Sequence, residues 1–306
     1  MPTLTAENLV KHYGRFPALE NTRLTLETGR VTGFIGPNGA GKTTTIKSIL
    51  GLVHPDKGRI LLDGRNILGD HRARKHFAYA PEVPEAPLWI TACNLLETLA
   101  MIEGISRFET RRLARQALEK MGVETLCDRP LSKTSKGQRK RILLAQALLL
   151  EKDFYLLDEP VSGLDPEWVA EVRNIISKLA RGGAGVLVSS HLLRELETVV
   201  DRVTVINAGR TIFEGSPEEL AAKAGVKPIV SIIIATGDPG RAAYQLRTHG
   251  YAARDLGRNV IVELKDFWEA HKVASLVEEL GFRVEAYEAR RGSLEEAYLQ
   301  LIRGRR

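Results

Sequence analysis

"VTGFIGPNGAGKTTTIKSILGL", residues Val31 to Leu52, decides how this chain folds. Its first six residues form the most buried-looking run of the N-terminal region, and a helix pattern begins at Lys42 and stops at Gly51. GPNGAGKTT, Gly36 to Thr44, fits the spacing G-x-x-x-x-G-K-S/T in the strand, loop, helix context that the motif requires. Its glycines let successive backbone N–H groups curl around phosphates at the positive end of the following helix. Gly36, Asn38, Gly39, Ala40, Gly41, Lys42, Thr43 and Thr44 are therefore expected to contact a nucleotide. Lys42 would neutralise the β and γ phosphates, and the Thr43 hydroxyl would ligate Mg²⁺.

"FYLLDEP", Phe154 to Pro160, supplies the second half of that chemistry. Four apolar residues bury a strand, and Asp158 emerges at its C-terminal end, where α/β sheets place ligands. Asp158 suits a second Mg²⁺ contact. Glu159 beside it is placed to orient or deprotonate an attacking water. Alone, such a tripeptide is often only a turn; downstream of a phosphate loop it points to hydrolysis.

Working outward, "LTAENLVKHY" and "LENTRLTLETGR" read as strands, and "VHPDKGRILLDGRNI" as a turn and a hairpin around Asp63-Gly64. Residues from about 88 to 150 read as a mostly helical insertion, with apolar residues at three and four spacing in "LLETLAMIEG", "RRLARQALEKMGV" and "KGQRKRILLAQALLLE". "DFYLLDEP" and "GVLVSSH" read as buried parallel strands. The composition shifts near residue 220, so residues 1–220 are expected to form an α/β nucleotide-binding domain and residues 221–306 a small α+β domain. In the second, "PIVSIIIAT", "GRAAYQLRTHGY", "NVIVELK", "DFWEAHKVASLVEELG", "FRVEAYEA" and "GSLEEAYLQLI" alternate strand and helix in the manner of a split βαβ sandwich. Ser293 and Glu296 form a capping box at the start of the last helix.

A chain of 306 residues with 43% hydrophobic content is long enough for two ordinary domains with cores. Its formal charge of +6 permits phosphate, nucleic-acid or anionic-lipid partners without choosing among them. Cys93 and Cys127 show no metal-ligand spacing, so reduced thiols in a cytosolic protein are expected. "MPTLTAENLVKHYG" lacks the basic start and apolar block of a signal peptide, and no run is long enough to span a bilayer. Work at a membrane would need another chain to cross it.

"GPNGAGKTT", "TSKGQ", "LLDEP", "SGLD" and "SSH", in this order, resemble the ATP-binding subunits of ABC transporters over roughly residues 3 to 220. The resemblance implies a P-loop NTPase fold: a RecA-like core, an antiparallel β subdomain and the helical insertion. It also implies ATP and Mg²⁺ as cofactors. Tyr13 aligns with the aromatic on which adenine stacks, and His191 with the switch histidine that contacts the γ-phosphate. Asp165 in "SGLD" aligns with an interface loop between two copies. Ser135, Gly137 and Gln138 align with the signature that caps the γ-phosphate of ATP held by the other copy. Lys136 departs from the commoner glycine. Glu82 stands where the family usually carries a glutamine that reaches Mg²⁺ and the water; a glutamate can still ligate or accept there, with an added negative charge.

"KTSKGQRKR", Lys133 to Arg141, could be taken for a nucleic-acid grip. The alignment instead places Lys136 and Arg139 beside ATP, with the remaining cations on a solvated face, and no nucleic-acid partner is expected. A related ATPase acting on DNA or ribosomes is the alternative. Chromosome ATPases insert long coiled coils between phosphate loop and signature, yet Lys42 and Ser135 are only 93 positions apart. Translation-type relatives carry two such domains, and this chain has one phosphate loop. A small-molecule kinase would leave "TSKGQ" unexplained. The resemblance thus implies a homodimer on the cytoplasmic face of the cell membrane, held there by an integral membrane partner. The tail resembles subunits of multidrug, antibiotic and sodium exporters, and relatives of this layout also serve gliding machinery and maturation of a copper enzyme. The C-terminal domain is expected to regulate or to stabilise the dimer.

Overall fold

A computed structural model describes residues 2–191, 196–290 and 293–303. The chain divides into two compact units, Met1–Ser216 and Pro217–Arg306.

The first unit contains β1 (Thr3–Tyr13), β2 (Phe16–Glu27), β3 (Val31–Ile35), α1 (Lys42–Ile49), β4 (Lys57–Leu62), β5 (Arg65–Asn66), β6 (Phe77–Ala80), α2 (Ala92–Ile102), α3 (Arg107–Lys120), α4 (Lys136–Ala147), β7 (Phe154–Asp158), α5 (Pro166–Arg181), β8 (Gly185–Ser190), β9 (Arg202–Asn207) and β10 (Arg210–Gly215). Among the described residues a ten-stranded sheet runs in the order β5-β4-β1-β2-β10-β9-β3-β8-β7-β6. From β9 to β6 the neighbours are parallel, while β5, β4, β1 and β2 pair antiparallel. The β4–β5 hairpin turns at Asp63 and Gly64, both with positive φ, which is the geometry that the Asp-Gly pair predicts.

Every residue of β3, β7 and β8 is buried, because the sheet is covered on both faces. Side chains alternate between two cores. Tyr155 and Leu157 of β7, with Val186 and Val188 of β8, join Leu96, Leu118, Ile142 and Ile176 on the face of the helical insertion and α5. Phe154, Leu156 and Leu187 join Leu9, Phe34, Ile46 and Ile60 on the face of α1 and the antiparallel strands. That alternation sends Asp158, the last residue of β7, toward α1.

The two cysteines correct the expectation of reduced thiols: Cys93 and Cys127 are joined by a disulfide. Cys93 lies in the first turn of α2, and its N–H donates to the Cys127 carbonyl at 2.8 Å, while Leu131 N–H donates to the Ile90 carbonyl. This antiparallel backbone contact brings the two Cα atoms to 4.7 Å, inside the range a disulfide needs. A separation of 34 residues carries no sequence signal for it.

The second unit contains α6 (Pro217–Ala224), β11 (Ile229–Thr236), α7 (Pro239–Thr248), β12 (Ala252–Leu256), β13 (Asn259–Glu263), α8 (Glu269–Glu279), β14 (Arg283–Arg290) and α9 (Leu294–Arg303). Among the described residues four strands pair antiparallel in the order β12-β13-β11-β14, giving a β-α-β-β-α-β layout. Val230, Ile232, Val260 and Val262 pack against Ala242, Leu246, Val273 and Val277 of the two crossover helices. Sequence patterning misses β12, "AARDL", because only Ala253 of that strand is buried. Ser293 Oγ accepts from Glu296 N–H at 3.1 Å, one half of the capping box.

Candidate functional site

The phosphate loop is pinned between two strands. A Cβ at Gly36 would lie 2.3 Å from the Ile206 carbonyl of β9, and one at Gly41 would lie 2.6 Å from the Ala18 carbonyl of β2. Gly41 also holds φ 106°, a conformation that L side chains rarely adopt. Asn38 and Gly39 stand exposed at the rim, and Gly39, with φ 79°, faces open space. Ala40 is buried, and its carbonyl accepts from Gly209 N–H at 3.0 Å. No side chain caps α1, so its first N–H groups remain available to an anion. Lys42 folds back, donating to the carbonyls of Gly36 at 2.8 Å and Pro37 at 3.4 Å. Thr44 lies half-buried in the first turn.

The carboxylates converge on this loop. Thr43 Oγ1 donates to Asp158 Oδ2 at 2.7 Å, and Ser189 Oγ donates to Asp158 Oδ1. Two hard oxygen ligands, a hydroxyl and a carboxylate at the mouth of a phosphate cradle, are what Mg²⁺ takes when substrate phosphates and water complete its shell, so the residues fit that ion. Glu159 is almost fully buried. Its Oε2 meets His191 Nδ1 at 2.8 Å, and its Oε1, which makes no hydrogen bond, faces Lys42 Nζ at 3.4 Å. Glu159 also holds φ 49°, a left-handed conformation costing a non-glycine residue about 1–3 kcal/mol. Its N–H is fixed there by the carbonyl and hydroxyl of Ser189, at 3.2 and 3.0 Å. A buried carboxylate with one unbonded oxygen, beside a lysine and a histidine, is equipped to accept a proton from water at a γ-phosphate.

The structure thus brings Gly36 to Thr44, Asp158, Glu159 and His191 together. Glu82 is exposed in the turn after β6, and its carbonyl accepts from Lys140 Nζ at 3.0 Å. Tyr13 is half-exposed at the tip of the β1–β2 hairpin, paired with Phe16. That hairpin runs on to Ala18, whose carbonyl abuts Gly41, and the Tyr13 ring itself has Lys11 Nζ 5.7 Å from its centroid.

Ser135, Gly137 and Gln138 open α4, and none of their hydrogen bonds reaches the phosphate loop. Ser135 Oγ accepts from Gln138 N–H at 3.1 Å, and Gln138 Oε1 accepts from Ser135 N–H at 3.0 Å, a complete capping box. The Gln138 side-chain carbonyl is thereby committed to its own helix. Asp165 caps α5 through Trp168 N–H at 3.0 Å and is exposed. The cations of this stretch also contact their own chain. Arg139 spends its guanidinium on the carbonyls of Leu131 and Thr134, at 2.9 and 3.1 Å. Arg141 stacks 4.1 Å over Trp168, and the Lys136 stem lies over Gly163.

Lys140, expected on a solvated face, is buried. Burial lowers its ammonium to about 8, against the pull of the Glu82, Asp158 and Glu159 carboxylates. Sequence reasoning missed it and Ser189. Lys140 falls four residues before the buried Leu144, in phase with the apolar face, and that misplaced charge was the available signal.

Residues 19–162 match the family described as ABC transporter. The lipopolysaccharide export system ATP-binding protein LptB of Haemophilus influenzae is 35% identical over 233 residues, covering 75% of this chain and 97% of that protein. The daunorubicin resistance ATP-binding protein DrrA3 of Streptomyces coeruleorubidus is 31% identical over 300 residues, covering 97% and 95%. Among solved structures, the ATP binding subunit of an ABC transporter superposes with a TM-score of 0.66 at 31% identity, covering 73% of this chain and 93% of that one. The ADP conformation of another ABC transporter cassette gives 0.60 at 28% identity, covering 72% and 92%. Among the described residues no helix is long and apolar enough to cross a membrane. A phosphate loop facing a β-strand carboxylate pair, a capped signature helix and these relatives agree: the chain belongs to the ATP-binding subunits of ABC transporters, whose cassettes hydrolyse ATP.

Proposed function

We propose that two copies of this chain bind two ATP molecules head to tail, with Mg²⁺, and that their closure drives an integral membrane partner in export. One observation carries the shared site. Gly137 sits in α4, where glycine costs up to about 1 kcal/mol against alanine, yet a Cβ there would meet only Gly163 O at 3.6 Å and Leu164 Cδ2 at 3.8 Å, both ordinary contacts. The chain's own packing does not require this glycine, which supports a close approach from outside. Ser135 and Gly137 then face the γ-phosphate held by Lys42 of the second copy, across an interface that includes Asp165.

In each site Lys42 leaves Glu159 for the β and γ phosphates; Thr43 and Asp158 would hold Mg²⁺, which would supply positive charge to the phosphate oxygens. Glu159 takes the proton of the attacking water, and His191 and Glu82 orient the γ-phosphate and that water. Tyr13 stacks on adenine. ATP binding favours the closed dimer and hydrolysis releases it, which biases a two-state partner.

Export is supported by the relatives: one is named for lipopolysaccharide export and one for daunorubicin resistance, and the latter matches nearly the whole chain, beyond residue 220. The subunit would sit at the cytoplasmic face through its partner. Purifying the tagged chain from its native membrane should yield one co-purifying integral protein whose presence raises ATPase activity. A DNA or ribonucleoprotein complex instead would sink the transporter reading.

A further inference from the structure

The peptide joining Asp158 to Glu159 is held at both ends. Its N–H donates to Ser189, and its carbonyl accepts from Lys140 Nζ at 3.3 Å. The same ammonium holds the Glu82 carbonyl at 3.0 Å. It reaches both from α4, five residues after Ser135. The peptide plane fixed in this way sets the left-handed φ of Glu159, and with it the direction of the Glu159 side chain toward Lys42 and His191.

We propose that Lys140 is a positioning residue for ATP hydrolysis: its buried ammonium clamps the Asp158–Glu159 peptide and the Glu82 turn to the signature helix, and so aims Glu159 at the water. The proposal rests on reading Glu159 as the base. Lys140 touches neither nucleotide nor metal in this role. It acts through the backbone on either side of the site, so its loss leaves ATP binding largely intact and misdirects the base. Lys140→Met keeps a side chain of similar length and removes the donor to both carbonyls, which makes it the informative variant once its melt is compared with wild type.

The test measures steady-state ATPase and nucleotide affinity for Lys140→Met alone and in the Glu159→Gln background. The expected result is a kcat at least tenfold lower with KM and the Kd for a fluorescent ATP analogue within threefold of wild type, and less than a twofold further loss of the residual rate in Glu159→Gln. Lys140→Arg, which keeps the donors, should regain most of the lost kcat. An unchanged kcat, or an equal fold-loss in both backgrounds, would overturn the role. If Lys140→Met does not melt like wild type, Lys140→Gln, which keeps a shorter donor, is read in the same two backgrounds by the same criteria. Wild-type protein whose rate is indifferent to Glu159→Gln would refute the base assignment itself, a result distinct from failure of Lys140.

Discussion

Replacing Gly137 by alanine should strengthen the fold and disable the enzyme. Within the chain the new methyl finds its nearest atoms at 3.6 and 3.8 Å, so nothing has to move. The first turns of α4 then gain up to about 1 kcal/mol in helix propensity, which in a unit of this size raises Tm by about 2–4 °C. In the closed dimer the same methyl would stand between the α4 backbone and a γ-phosphate, where an approach within hydrogen-bond distance of a backbone N–H leaves no room for it. The expected ATPase activity is lower by a factor of about 100, roughly 2.7 kcal/mol of lost transition-state stabilisation. ATP affinity of the monomer should be unchanged, because the loop around Lys42 is untouched. Thermal melts, titration with a fluorescent ATP analogue and steady-state ATPase on one preparation decide it. Activity within twofold of wild type would refute the reading of Gly137, and a lower Tm would refute the packing on which it rests.

Gly36→Ala should behave in the opposite way, since its Cβ would overlap the Ile206 carbonyl; overpacking of this kind costs about 1–3 kcal/mol, and both Tm and ATP affinity should fall in the same titration and melt. Asp165→Ala removes the N-cap of α5, costing about 1 kcal/mol, so calorimetry should show a Tm about 2–4 °C lower. Reducing the Cys93–Cys127 bridge opens a loop of 34-residue separation, worth up to about 4 kcal/mol by chain entropy, and should lower Tm by roughly 10 °C. Thiols that label fully without reductant would contradict that bridge.

What the sequence makes legible is what it writes contiguously. The phosphate loop, the strand ending at Asp158 and the N-cap at Ser135 are each spelled within a dozen residues, because strand burial, glycine conformation and capping are local requirements. Contacts between distant segments are not spelled. Lys140 looked like one cation among several until α4 was laid against β7, and Arg139 turned out to serve its own loop's carbonyls. The disulfide needed the contact between residues 90–93 and 127–131, and β12 needed its partner β13, since its own side chains alternate weakly. For Glu82, alignment along the chain could not show that its carbonyl accepts from Lys140.

The shared nucleotide site is tested most directly by Glu159→Gln with saturating Mg-ATP, examined by light scattering with bound nucleotide counted. The account predicts a dimer holding two ATP, stable because hydrolysis is blocked, and reverting to monomer when Gly137→Ala is added. A variant that stays monomeric with ATP bound, or that hydrolyses ATP at the wild-type rate, would contradict it.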